Sequence, residues 1–410
     1  MVENLSRHLA ERELRLIKDC REVLLAYEEP PYPFFDTETQ VYAPTLCFLG
    51  YHCIFNDQVL LKKAMSFRDL ILRTQGVDIE ATMPPYLWVS KQKLQRDYLG
   101  TTFLALLTLT DLYALHQDAS LLKSIEKGID SLLTVEEFFG KVTLHPPASL
   151  SIEILSSLAK ATLNEKYVAK AAGIIVKHET DVLDRSYIVG TRFLPLYFSL
   201  SLFRLSEIAR SFKCNKLSAK LLDFAVGHAH FYKDRANKDG SFVSLTTIPV
   251  EASSAYYAKL MFEAYRFTNN TAYLNNGLKT LRFLRKEISN GNRESGKQDV
   301  NGRMIWANLI PLIALFRAEN IKNVEISLNE VLEYLEKKLD RTKGWTRRME
   351  YNFLIIQPLL ELLLVNELST ICKELKNNPP VMHTLQNKKI DLACKLGNLM
   401  YLKESLKKFG

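Results

Sequence analysis

Glycine and proline are scarce, with 16 and 14 positions in a chain of 410. Sandwiches and barrels of strands need both at their many turns, so a chain this poor in them is predicted to be all-α. The six cysteines, Cys20, Cys47, Cys53, Cys214, Cys372 and Cys394, form no CxxC pair, and four sit in apolar helical patterns where a free thiol packs as a small hydrophobe. That usage fits a reducing compartment and argues against a disulfide framework. Charge of one sign is never blocked. Lys and Arg exceed Asp and Glu by 54 to 46, and the densest basic cluster, RTKGWTRR at 341–348, is short, which speaks against a nucleic-acid surface. No apolar run reaches the roughly 20 residues of a membrane span. The strongest, NFLIIQPLLELLLVNEL at 352–368, is broken by Gln357, Pro358 and Glu361. The N-terminus, MVENLSRHLAERELRLIKDC, alternates charge as an amphipathic helix and lacks the form of a signal peptide. The expectation is a soluble, cytoplasmic protein. P-loop, GxGxxG, GxSxG and HExxH patterns are all missing, which removes most support from nucleotide-dependent and serine-hydrolase chemistry.

What is present is a repeat. YALHQDASLL (113–122), HCIFNDQVLL (52–61) and YRFTNNTAYL (265–274) each end one helix, turn on Asp or Asn, and begin a second. Weaker copies occur at 159–168, 208–217 and 316–325. Their starts lie about 50 residues apart on average, the period of stacked helix pairs that bury their apolar faces only against neighbours. First helices at 43–55, 97–115, 149–162, 191–210, 251–267, 304–318 and 351–365 read as apolar almost all round. Second helices carry Lys and Glu on one side. Helices of the first kind belong inside and those of the second outside. The predicted fold is therefore an α/α toroid of six to seven helical hairpins spanning residues 1–378, with the helix at about 4–27 as an extra outer member. An open solenoid is the alternative. Residues 379–410 read as a C-terminal amphipathic helical tail that docks on the barrel.

Turns from inner to outer helix are short, whereas returns run from about ten to twenty residues, so the long loops gather on one face, where function concentrates. Trp88, Trp306 and Trp345 fall in or beside these loops, and Tyr98 stands at the end of one. Rings gathered with carboxylates and guanidinium groups match a ligand pocket. Asp97 and Glu251 stand out because each opens a strongly apolar helix; burial raises the pKa of a carboxyl, as a general acid requires. Glu251 follows the segment DGSFVSLTTIPV (239–250), read as a rim loop or hairpin that presents it. The expected catalytic pair is Asp97 and Glu251. Trp88, Tyr98, Trp306 and Trp345 are expected to contact a sugar, and Arg303 and Arg348 its carboxylate or phosphate.

The cadence of Leu-Tyr-x-Leu, turn and Leu, carried by KLMFEAYRFTNNTAYLNNGLKTLRFL (259–284), resembles the six-hairpin glycosidase-like superfamily over about residues 40–370. Members of that superfamily are toroids of paired helices acting mostly on sugars as hydrolases, lyases or epimerases. The resemblance implies a carbohydrate-active enzyme using carboxylate acid–base chemistry on a small-molecule or oligosaccharide ligand, here an anionic sugar or glycoconjugate. Terpenoid cyclases and prenyltransferases share the toroid, and DGSF is similar to the Gly-aromatic turn of their repeats, but a DxDD motif and a convincing zinc-ligand set are missing. His52-Cys53, with Cys47 nearby, reverses the order seen in lanthionine-forming cyclases, so no metal and no cofactor are expected. A non-catalytic peptide- or glycan-binding toroid, or a terpenoid cyclase-like enzyme, stands as the alternative.

Overall fold

A computed structural model describes residues 2–34, 37–81, 83–92, 95–138, 146–177, 194–243, 250–294, 311, 314, 331–337, 339–341, 344–345, 349–350 and 352–360. Helices α1 (Val2–Asp19) and α2 (Arg21–Ala26) lead to a π-helical turn, Glu38–Tyr42, that runs into α3 (Ala43–Phe55). Hairpins then follow: α3 with α4 (Gln58–Thr74), α5 (Leu99–His116) with α6 (Ala119–Phe138), and α7 (Pro146–Thr162) with α8 (Glu165–Lys177). α9 (Leu194–Ser211) pairs with α10 (Asn215–Lys233), and α11 (Val250–Thr268) with α12 (Thr271–Glu294). A small antiparallel hairpin, β1 (Ser90–Gln92) and β2 (Gln95–Asp97), precedes α5 and places Ser90 opposite Asp97. Further helix covers 331–337 and 352–360.

Each hairpin turns by the same device. A residue in the left-handed region ends the inner helix: Asn56 (φ 55°), Gln117 (φ 45°), Leu163 (φ 52°), Lys213 (φ 63°) and Asn269 (φ 55°). In three turns its N–H donates to the carbonyl four residues back, closing the C-terminal cap: Asn56 to His52, Gln117 to Tyr113 and Asn269 to Tyr265. The side chain of Asp57, Asp118, Asn164 or Asn270 then accepts an N–H of the next helix, as Asp57 does from Val59 and Leu60.

Offsets between partners give the direction of neighbouring helices. Ser201 meets Glu153 and Arg204 meets Ser157, separations of 48 and 47 residues, so α7 and α9 run parallel. Outer helices behave alike, with Lys166 to Glu126 and Lys170 to Asp130 both 40 apart. In the inner layer α5 packs on α7, α7 on α9 and α9 on α11.

The ring closes. The Cys47 thiol of α3 donates to the carbonyl of Phe353, and Gly50 lies so near Leu360 that an added Cβ would stand 3.2 Å from its Cδ1. Residues 352–360 are thus the inner neighbour of α3. Outside, Arg12 and Arg15 pair with Glu333 and Glu336 at a constant offset of 321, and Arg21 holds Asp57 at 2.6 Å. The N-terminal helices therefore fill the outer layer between 331–337 and α4, and Tyr27 packs edge-on against Phe353 at 4.7 Å. The protein is an all-α toroid, with the open solenoid excluded by contacts between its two ends. The proposed tail, 379–410, lies outside the described residues.

Candidate functional site

All short turns sit where inner helices end, so the longer connections meet where inner helices begin, and that end is the mouth of the ring. The first candidate here is Glu251, half-buried in the first turn of α11. Asp97 does not open α5. It ends β2, and Tyr98, half-buried, occupies the N-cap of α5, which begins at Leu99. Pairing of residues 95–97 with the preceding strand takes the chain out of the helix two residues later than the apolar pattern suggests. α5 and α11 are three places apart in the inner layer, so Asp97 and Glu251 stand at the mouth on opposite sides rather than on adjacent helices. Arg303, Trp306 and Arg348 lie outside the described residues, as does the whole 244–249 stretch leading to Glu251.

Two tryptophans expected to stack sugars are wedges in the scaffold. Trp88 is 0% exposed. Its indole N–H donates to the Ile71 carbonyl at 2.8 Å, its backbone N–H to Thr102 Oγ1 at 2.9 Å, and its ring joins Leu106 in crowding Gly128 on α6, where an added Cβ would stand 2.7 Å from Leu106 Cδ2 and 3.1 Å from the indole. Trp345, 8% exposed, repeats the arrangement, with the indole donating to the Leu335 carbonyl and the backbone N–H to Asn352 Oδ1, each at 2.8 Å. Phe242 does the same with its backbone N–H, which donates to Ser254 Oγ at 2.9 Å. A glycine at positive φ precedes each ring: Gly76 (77°), Gly240 (95°) and Gly344 (76°). A ring enclosed by helices on every side offers no face to a ligand. These three aromatics tie their return segments to the start of the next inner helix. The DGSF turn is one such tie, with Asp239 Oδ1 accepting from the Ser241 N–H at 2.9 Å.

The inner helices are also not apolar all round. On their C-terminal two-thirds they carry two groups of paired charges. The Glu153 carboxylate of α7 pairs with Arg204 of α9 and accepts from Ser201 at 3.1 Å, and Arg204 also donates to Ser157 at 2.8 Å. Arg266 of α11 joins Glu207 of α9 at 2.8 Å to Glu263 at 2.9 Å. Asp111 of α5 feels Arg204 and Lys160. Burial pushes the Asp111 carboxyl up to about 7 against the pull of those two cations. Glu207 is likewise raised to about 7 by burial, opposed by Arg266 and Lys160 and reinforced by Glu263.

At about 1.5 Å per residue, Glu153 lies roughly 10 Å, Arg204 roughly 15 Å and Asp111 roughly 18 Å below the start of its helix. Glu251 and Glu263, on one helix, are therefore about 18 Å apart, too far to act on one bond. Mouth and interior are two separate groups of charged side chains. The interior set was readable as polar positions three to four apart, Glu153, Ser157 and Lys160, or Arg204 and Glu207, within otherwise apolar helices. His52, whose pairing with Cys53 falls short of a zinc-ligand set by sequence, has Nδ1 hydrogen-bonded with the Asp57 carbonyl at 3.0 Å.

No protein-family model and no curated protein matches the chain. Among solved structures, a possible GH105 family member from Salmonella enterica superposes with a TM-score of 0.47 at 12% identity, over 86% of this chain and 94% of that one. An inactive variant of the α-1,6-mannanase GH76A of Salegentibacter, in complex with α-1,6-mannotriose, gives 0.47 at 9% identity over 79% and 99%. A sugar epimerase from a ruminal bacterium gives 0.45 at 11% identity over 67% and 86%.

Proposed function

We propose that the protein is a carbohydrate-active enzyme acting on an acidic sugar or glycoconjugate by carboxylate acid–base chemistry. The observation that carries this reading is the charged interior: Asp111, Glu153, Glu207 and Glu263 interleave with Lys160, Arg204 and Arg266 on facing inner helices. Such a lining suits a ligand rich in hydroxyl and carboxyl groups. An isoprenoid folding into a ring needs aromatic walls with few charges, so the cyclase alternative loses its support. At the mouth, Glu251 and Asp97 are the proposed proton-transfer groups, with Tyr98, Arg303, Trp306 and Arg348 as substrate contacts.

The test is a panel of acidic oligosaccharides incubated with the full chain and assayed for product, followed by Asp97→Asn and Glu251→Gln. Loss of turnover by at least about 100-fold in each folded variant is expected for a proton-transfer group. Full activity in both variants removes those roles, and binding of the panel without product makes the toroid a binding module.

A further inference from the structure

We propose that the outward face of α12, with the turn packed against it, is a docking strip for a chain of acidic sugars whose end enters the mouth beside Glu251. The inference deepens the acidic-glycan reading above and rests on it for the identity of the chain.

On α12, Lys279, Arg282 and Lys286 recur at intervals of three and four residues and so share one face. Gly277, Thr280, Leu281 and Leu284 are buried, whereas Arg282 and Lys286 are exposed and Lys279 is half-buried, so that face looks outward. The Lys279 ammonium donates to the Asn237 carbonyl at 3.1 Å, which brings the turn after α10 against the strip and adds the exposed Lys238 and Arg235 to it. The two acids of that turn are already engaged, Asp234 with Lys233 at 3.7 Å and Asp239 with the Ser241 hydroxyl at 2.7 Å. Elsewhere in the outer layer cations find carboxylates on the next helix, as Lys166 does with Glu126 and Lys170 with Asp130. Among the described residues no ion pair reaches Lys238, Arg282 or Lys286.

The packing of α12 on α11 sets the height of the strip. An added Cβ on Gly277 would stand 2.3 Å from Phe262 Cε1, and Leu284 packs with Ala255. Both pairs fit one antiparallel register, in which Lys286 is level with Ser253, about 3 Å along the axis from Glu251. The strip therefore climbs about 10 Å from Lys279 and ends at the rim. Cations repeated along a helix match a ligand that repeats its anions, and they draw it toward the adjoining mouth. No aromatic ring stands exposed on α12 or on the turn to stack a base, and Val243 is the single large apolar side chain exposed on this return segment, too little for the centre of a protein interface.

Isothermal titration of the full chain with galacturonate, a long oligogalacturonate and oligothymidylate, at low and at physiological ionic strength, tests the strip. The long acidic chain is expected to bind more tightly than the monomer and to weaken as salt rises. Reversing three exposed charges together, Lys238→Glu, Arg282→Glu and Lys286→Glu, should weaken the long chain by about tenfold or more and leave the monomer within about twofold. A second triple variant, Lys123→Glu, Arg210→Glu and Lys216→Glu, alters net charge equally through exposed residues elsewhere and should bind both as the unaltered chain does. Equal losses in the two variants, or a long chain bound no more tightly than the monomer, overturns the strip. Oligothymidylate bound as tightly as oligogalacturonate, and lost in the first variant, would assign the strip to nucleic acid and overturn the glycan. Selective loss of the long chain with no product from it would keep the strip and discard the enzyme. Turnover of the long chain with unchanged KM in the first variant would do the reverse.

Discussion

At the scale of single residues, a tryptophan in a loop has two opposite uses, and only its surroundings separate them. Trp88 and Trp345 look like ligand platforms by composition, yet each spends its indole N–H on a carbonyl of the preceding outer helix. What the sequence did carry was the glycine ahead of each ring, at 76, 240 and 344, because the close backbone approach there requires a left-handed residue. At Gly240 an added Cβ would stand 2.5 Å from the Lys279 carbonyl oxygen, and φ is 95°. Gly240→Ala is expected to destabilise the protein by about 1–3 kcal/mol, read by urea unfolding. Trp88→Ala should destabilise it by about 3–5 kcal/mol. It should leave ligand affinity of the folded fraction unchanged, and a selective loss of sugar binding at unaltered stability would restore the platform role.

At the scale of the hairpin, the sequence was most legible. The turns FND, HQD and TNN state their own geometry: a polar residue in the left-handed region, then an Asx side chain that caps the next helix. α3 was placed at 43–55 and is found there, because a Pro near its start and Asn56 after its end fix both termini locally. α5 was less legible at its start, since the β1–β2 pairing that delays it involves residues outside the helix. The turn chemistry makes a graded prediction. Asp57→Ala removes the acceptor of two N–H groups at the start of α4 together with the partner of Arg21, and should destabilise by about 1–2 kcal/mol. Asp57→Asn keeps the cap and should recover most of that loss in the same unfolding measurement. Equal loss in both variants would place the stabilisation in the ion pair.

At the scale of the whole molecule, closure was out of reach of periodicity, because it depends on contacts such as Cys47 with Phe353 across 306 residues. Closure is also what hides a charged stripe from a reading of helix amphipathicity. A few polar residues on an apolar helix look like noise until four helices bring theirs together in one interior. The consequence is a pH dependence of the folded state that has a definite sign. Asp111 and Glu207 carry pKa values of about 7 in the ring, against about 4 in the unfolded chain. Between those values the folded protein holds protons that the unfolded chain has released, so raising the pH favours unfolding. The stability these two groups contribute is complete below pH 4 and is lost as the pH passes through 7. Urea titrations at pH 5.5 and 8 should therefore show the protein less stable at pH 8, by on the order of a few kcal/mol for the pair. The double variant Asp111→Asn with Glu207→Gln should remove that difference, because an amide in either place carries no proton to lose. A slope that survives both substitutions would mean that the carboxyls burdened by burial lie elsewhere in the fold, and the interior network would then be an ordinary set of paired charges.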